Sequence, residues 1–293
     1  MTTQPAMAPH DLIDKTFTWR GEDHFILMYH HVGSLQQLGV LAPFVVSPAA
    51  FRSQLDSIEA RGLKVETLRE VFRGRRTRDR SRSRSRVVIT FDDCPRGLLE
   101  FAVPELERRG WKATFFAVAG KVGGYNDWEA STNAPRVPLM RWEDLRELAA
   151  LGHEIGAHGF SHVSLRRCTP QQARFEMSRA RETLEQGAGI PVRTFAYPFG
   201  EAPDGYRRLC GDTGYESSCS IFSMSARVLG DRFDIRRILV TERDTGLRMR
   251  MKLSHLYLRA RGLVVDRRIL LANGVRSRLD LPAGAESDRS MER

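Results

Sequence analysis

Asp92 and Asp93 stand side by side at the end of the apolar run Val87-Val-Ile-Thr-Phe91. Adjacent carboxylates at a strand end repel one another, and the pair is tolerable when a metal ion or an arginine neutralises one of them. In parallel α/β folds, catalytic groups collect at this end of the strands. Aspartate also serves turns and helix N-caps, so the pair alone does not decide between chemistry and local structure.

His158 and His162 form a second element. Their spacing places both on one side of a helical turn, from which two imidazoles reach one metal ion. Two unrelated histidines would show the same spacing. Two histidines and one carboxylate make a three-ligand set that leaves a coordination position for water. Arg193 is the third element, because a guanidinium clamps a carboxylate bidentately and holds it ionised. Pro198, after Tyr197, fixes a turn that leaves a backbone N–H for an oxyanion.

The elements that must carry these groups follow from periodicity. Residues 25–29, 87–91, 113–118, 153–157 and 193–197 read as short strands, and 47–62, 98–109, 142–151 and 170–186 as helices. Pro48 suits a first turn, with Phe51, Leu55 and Ile58 on one face. The alternation predicts βα units around a parallel sheet, and the all-apolar run at 87–91 suits a sheet covered on both sides.

The chain has 293 residues and a net charge of +10, unevenly spread. Residues 73–86 hold eight arginines and one aspartate, and residues 243–278 ten Lys/Arg and two aspartates, so the rest is mildly acidic. No aromatic residue interleaves the tract Ser81-Arg-Ser-Arg-Ser-Arg86; it reads as a solvated loop, and nucleic acid is not an expected partner. The C-terminal basic segment suits either an anionic membrane surface or lipid-linked sugar phosphate, or a helix packed on the body with its arginine stems lying along it. Cys94, Cys168, Cys210 and Cys219 form no C-x-x-C pair and read as free thiols of a reducing compartment. Residues 1–19 lack the apolar core of a signal peptide, and no stretch approaches the ~20 apolar residues of a membrane span. The expected location is cytoplasmic, with peripheral membrane association through the basic segment.

Val88-Ile-Thr-Phe-Asp-Asp93, Ala113-Thr-Phe-Phe116, Gly152-His-Glu-Ile-Gly-Ala-His158 through His162, and Arg193 through Tyr197-Pro198 occur in this order. Together they resemble the polysaccharide deacetylase family, the NodB-homology domain or carbohydrate esterase family 4. The resemblance implies an α/β fold, a distorted (β/α) barrel of about seven parallel strands in a single domain over residues 23–245. A polar leader, 1–22, precedes it; the basic segment, 246–278, and a tail expected to be disordered, 279–293, follow. The implied activity is removal of an acetyl group from an N-acetylated sugar, in a polysaccharide or glycoconjugate such as exopolysaccharide. The implied cofactor is a divalent metal, Zn2+ first and Co2+, Mn2+ or Ni2+ as alternatives. By the same resemblance Asp92 matches the general base, and Asp93, His158 and His162 match the metal ligands. Arg193 matches the residue that orients the base, and the Tyr197 backbone N–H part of an oxyanion hole. Asn126-Asp-Trp128 resembles the groove motif, with Trp128 stacking on sugar and Asp127 orienting it; Pro198 completes the substrate-binding set.

Two departures matter. Cys94 stands where the family has glycine and reads as a turn variant rather than a soft ligand. The late Leu-x-His motif, which carries the acid in classical members, falls at Arg236-Arg-Ile-Leu-Val240, where there is no histidine. The departing amine still needs a proton. Met28-Tyr-His-His-Val32 resembles the first strand of the biofilm-polysaccharide deacetylase subgroup, so His30 is the expected acid, with His31 and then His255 behind it. Alternative readings are a deformylase or deacetylase of a lipid-linked sugar, and an inactive sugar-binding member.

Overall fold

The computed structural model describes residues 24–33, 39–73, 85–128, 135–221 and 230–260. The leader at 1–22, the arginine-serine tract apart from its ends, the basic segment beyond 260 and the tail at 279–293 lie outside the described residues.

The strands and helices alternate as expected. In chain order they are β1 (His24–Tyr29), β2 (His31–Val32), β3 (Val45–Val46), α1 (Pro48–Ala60), β4 (Lys64–Val65), α2 (Leu68–Arg73), β5 (Arg86–Asp93) and α3 (Leu98–Arg108). There follow β6 (Thr114–Ala117), α4 (Trp142–Ala150), β7 (Glu154–Ala157), α5 (Pro170–Ala188), β8 (Thr194–Ala196) and α6 (Tyr206–Asp212). The last are β9 (Ser217–Ser220), β10 (Ile235–Arg236), β11 (Ile238–Leu239) and α7 (Gly246–Lys252).

Among the described residues, nine strands form one parallel sheet in the order β10-β9-β8-β7-β6-β5-β1-β11, with β4 also pairing with β5. β10 and β11 sit at opposite ends of that order, yet Arg237 alone separates them in the chain. One residue therefore bridges the two sheet edges, and the sheet nearly closes into a barrel. The strand number exceeds seven because β4, β10 and β11 are two residues each, too short to show a period.

Val87, Val88, Ile89 and Phe91 of β5 are fully buried, as a strand covered on both faces requires. Helices cover the outside. α1 is capped by the Ser47 hydroxyl, which accepts from the Ala50 N–H at 3.2 Å, and it buries Phe51, Leu55 and Ile58. α7 buries Met249, with Leu253 buried just after it, and leaves Leu247 and Met251 exposed. No helix among the described residues is long and apolar enough to cross a membrane.

At the amino end of the barrel stands Glu154, the first residue of β7, its side chain buried. Its carboxylate accepts from the Thr114 and Thr194 hydroxyls at 2.8 Å each and from the Arg69 N–H at 2.8 Å. Each carboxylate oxygen finds a donor, as a buried carboxylate needs.

Candidate active site

Strand register brings the chemistry together. Asp92 and Asp93 end β5 opposite Phe116 and Ala117 of β6, and Ala117 in turn lies opposite Ala157. His158 follows directly, its N–H donating to the Ala117 carbonyl at 2.8 Å. Its Nδ1 lies 2.8 Å from the Ala196 carbonyl. A carbonyl only accepts, so Nδ1 carries the proton and Nε2 keeps a lone pair facing the site.

His158 Nε2 lies 3.5 Å from Asp93 Oδ1, and His162 Nε2 lies 3.3 Å from the same oxygen. One ligating atom from each of Asp93, His158 and His162 lies within 4.8 Å of the others. Lone pairs of an imidazole and a carboxylate converge on one point there, which a cation relieves. The donor set therefore fits a divalent metal. The expected helical turn between the histidines is absent: residues 158–162 form an open loop, with Gly159 at φ 80° and His162 at φ 61°. The loop is held from outside, the Glu176 carboxylate accepting from the N–H groups of Phe160 and Ser161 at 2.9 Å each.

Asp93 (φ 66°), Cys94 (54°), His162 (61°) and Phe199 (61°) are the non-glycine residues with positive φ among those described, and all lie in these site loops. Such left-handed conformations are costly and persist where surrounding structure enforces them. The value at Cys94 explains why glycine suits that position. Cys94 is buried, its thiol pushed well up by burial, and it stands outside the Asp93–His158–His162 set.

Asp92 is held differently. Arg237 donates to its two carboxylate oxygens at 2.6 and 2.7 Å, and to Thr90 Oγ1 at 3.2 Å. Burial alone would raise the Asp92 carboxyl, but the charge and hydrogen bonds of the Arg237 guanidinium hold it well below the usual range. The guanidinium lies over the Phe116 ring, 5.5 Å from its centroid. Phe116 in turn fills space that only a glycine leaves: a Cβ at position 156 would fall 2.5 Å from the ring.

Arg193 therefore does not orient Asp92. It precedes β8, whereas the site lies beyond the end of that strand, about 10 Å along it. Its partly exposed side chain lies 3.9 Å from Glu216. Arg237 has the place expected for it. The signal was Arg236-Arg237 within the late segment 236–240; with strands of two residues on either side, no pattern showed that Arg237 faces inward.

Tyr197 also differs from expectation. Its N–H donates to the Cys219 carbonyl at 3.0 Å, extending the β8–β9 ladder, and its buried hydroxyl donates to the Phe233 carbonyl at 2.9 Å. Neither donor is left for an oxyanion. The next turn closes through the Gly200 N–H and the Tyr197 carbonyl at 2.9 Å. Pro198 has no N–H and is buried beside Gly159 rather than facing a groove. The first donor after the strand therefore belongs to Phe199, whose ring lies 5.0 Å from that of His162.

His30 stands where an acid is wanted, its Nε2 4.0 Å from Asp92 Oδ2 and its ring 4.8 Å from that of Phe44. Burial pushes its imidazole down to about 3 against the pull of Asp92. His255 is at the other end of β1, its ring tilted against that of Phe25 with centroids 5.4 Å apart. Trp128 stacks on His162, ring centroids 4.3 Å apart, at the edge of the site. Asp127 is more exposed, with its carboxylate on Lys121 Nζ at 2.6 Å.

Comparison with known proteins bears on the family and the fold. Residues 79–218 match the polysaccharide deacetylase family. YxkH of Bacillus subtilis, provisionally described as a polysaccharide deacetylase, is 26% identical over 191 residues, 65% of this chain and 62% of its own length. A Bacillus cereus peptidoglycan-N-acetylglucosamine deacetylase is 29% identical over 120 residues, 40% of this chain and 37% of its own. The chain thus spans less than two thirds of either relative. The Streptococcus pyogenes deacetylase PplD, solved with acetate, shares the fold with a TM-score of 0.66 at 20% identity, over 78% of this chain and 97% of its own.

Proposed function

Since the chain carries a polysaccharide deacetylase domain over residues 79–218, we propose that it is a metal-dependent hydrolase that removes acetyl groups from an N-acetylated sugar. The observation that carries this reading is the convergence of Asp93, His158 and His162 beside an arginine-clamped Asp92.

Asp93, His158 and His162 would hold a divalent cation, and their mixed oxygen and nitrogen donors suit Zn2+ first, with Co2+, Mn2+ or Ni2+ as alternatives. When bound, such an ion acidifies water and polarises a carbonyl. Asp92 takes the proton of the attacking water as its oxygen bonds to the acyl carbon, a task that needs the ionised carboxylate Arg237 maintains. The carbonyl electron pair moves onto oxygen, for which the Phe199 N–H, the first after β8 outside the ladder, is the donor we propose. That pair returns to reform the carbonyl as the C–N bond breaks, releasing acetate, and the nitrogen leaves as the free amine with the proton that Asp92 took up, relayed by way of the neighbouring His30. The face of Trp128 turned away from His162 offers a stacking surface for a sugar ring.

N-acetylglucosamine units are the first substrates to try, given the Bacillus cereus relative. Zn2+- or Co2+-loaded protein should release acetate from N-acetylglucosamine oligomers, and chelation should abolish release. His30→Gln should keep its metal and lose turnover on the order of 10²–10⁴-fold. Loaded wild type that releases acetate from no N-acetylated sugar would defeat the reading, and full activity in His30→Gln would remove His30 from it.

A further inference from the structure

The loop that carries both histidines lacks the support that a helix would give. Its conformation is demanding, with positive φ at Gly159 and His162. Two sides hold it. On the β6 side, the N–H groups of Ala119 and Gly120 donate to the Gly159 and Phe160 carbonyls at 3.0 and 2.8 Å. On the other side stands one side chain, Glu176 of α5, which is 7% exposed. Its Oε2 accepts from the Phe160 and Ser161 N–H groups, and its Oε1 accepts from the Ser161 hydroxyl. A carboxylate buried this far is costly, and here its bonds go to the residues between the two histidines.

We infer that Glu176 is a positioning residue for the metal centre: it sets the His158–His162 loop so that His162 reaches the point shared with Asp93. The inference rests on the metal-site reading above. His158 is pinned independently, by Ala117 and Ala196. His162 Nε2 reaches Asp93 from the far end of the loop, directly after Ser161. Loss of the Glu176 bonds frees Phe160 and Ser161 to relax toward ordinary backbone angles, which moves the imidazole of His162 and leaves the rest of the barrel in place.

The test is direct binding of Co2+ and Zn2+ to the full chain, by calorimetry and by the visible absorption of bound Co2+, well below each variant's melting temperature. Glu176→Ala should weaken both ions about 10- to 100-fold, the usual size for a group that supports a ligand, and alter the Co2+ bands. Glu176→Gln, which keeps one acceptor oxygen, should fall between. Met177→Ala, a neighbouring core truncation on α5, should lower the melting temperature and leave metal affinity within about twofold. Wild-type affinity in Glu176→Ala would overturn the inference, as would an equal loss in Met177→Ala. If the alanine variant fails to fold, unchanged affinity in Glu176→Gln overturns it. Failure of the parent chain to take up either ion overturns the metal reading itself, and with it this one.

Discussion

Arg237 grips Asp92 through both terminal nitrogens, at 2.6 and 2.7 Å, from the single residue that joins the two edges of the barrel. Both side chains are buried. The contact that keeps Asp92 ionised thus starts from the residue that links the two sheet edges, which ties the electrostatics of Asp92 to the integrity of the fold.

Removing the guanidinium should therefore be felt twice. Arg237→Met leaves a buried carboxylate without its partner and should cost about 3–5 kcal/mol in chemical denaturation. Arg237→Lys keeps the charge, loses the two-pronged grip and should lower kcat more than it raises KM. Arg193→Ala, by contrast, removes a partly exposed side chain near Glu216. It should change stability by no more than about 0.5 kcal/mol and leave acetate release near wild type. A large loss of turnover in Arg193→Ala with Arg237→Lys unaffected would reverse the assignment.

Gly156→Ala tests the support beneath the clamp. The added methyl would fall 2.5 Å from the Phe116 ring and 2.7 Å from Thr194 Oγ1. Overpacking of this kind costs about 1–3 kcal/mol. Because Phe116 lies under Arg237, kcat should fall as well. Wild-type stability and turnover in Gly156→Ala would show that the ring does not set the guanidinium.

A pH dependence follows from His153, far from the metal ligands. Its side chain is fully buried, Nδ1 accepts from the Ala113 N–H at 3.1 Å, and Nε2 lies 3.1 Å from Glu107. Burial pushes its imidazole down to about 4 from 6.5, against the pull of Glu107. The unfolded chain therefore takes up this proton first as pH falls. The stabilising contribution is complete above about 6.5 and is lost progressively down to about 4. His153→Gln, followed by urea denaturation across that window, should show a shallower fall of stability than wild type. Parallel slopes would refute the assignment.

The legible parts of this protein were those with length and pattern. β5, α1 and α5 stand within a residue or two of where periodicity and caps place them. Asp93, His158 and His162 do lie together, but across an open loop rather than the helical turn that the spacing of the histidines suggested. What the sequence hid depends on three-dimensional closure. Arg237 lies between two strands of two residues, and its inward direction follows from barrel geometry that no local pattern records. Arg193 has the right chemistry at the wrong end of β8, a distinction of three residues. The Tyr197 N–H was lost to the ladder with β9, a pairing invisible before the sheet order is known. Glu176 lies fourteen residues beyond His162 on the next helix, with nothing in α5 to mark it as the support of the loop.

The central claim is that the two neighbouring aspartates do different work, Asp93 on the metal and Asp92 on water. Metal content after dialysis and acetate release, measured together on Asp92→Asn and Asp93→Asn, tests it most directly. Asp92→Asn should retain its metal ion while turnover falls on the order of 10²–10⁴-fold, whereas Asp93→Asn should lose both. An Asp92→Asn protein that turned over at the wild-type rate, or an Asp93→Asn protein that kept its metal as tightly as wild type, would contradict the account.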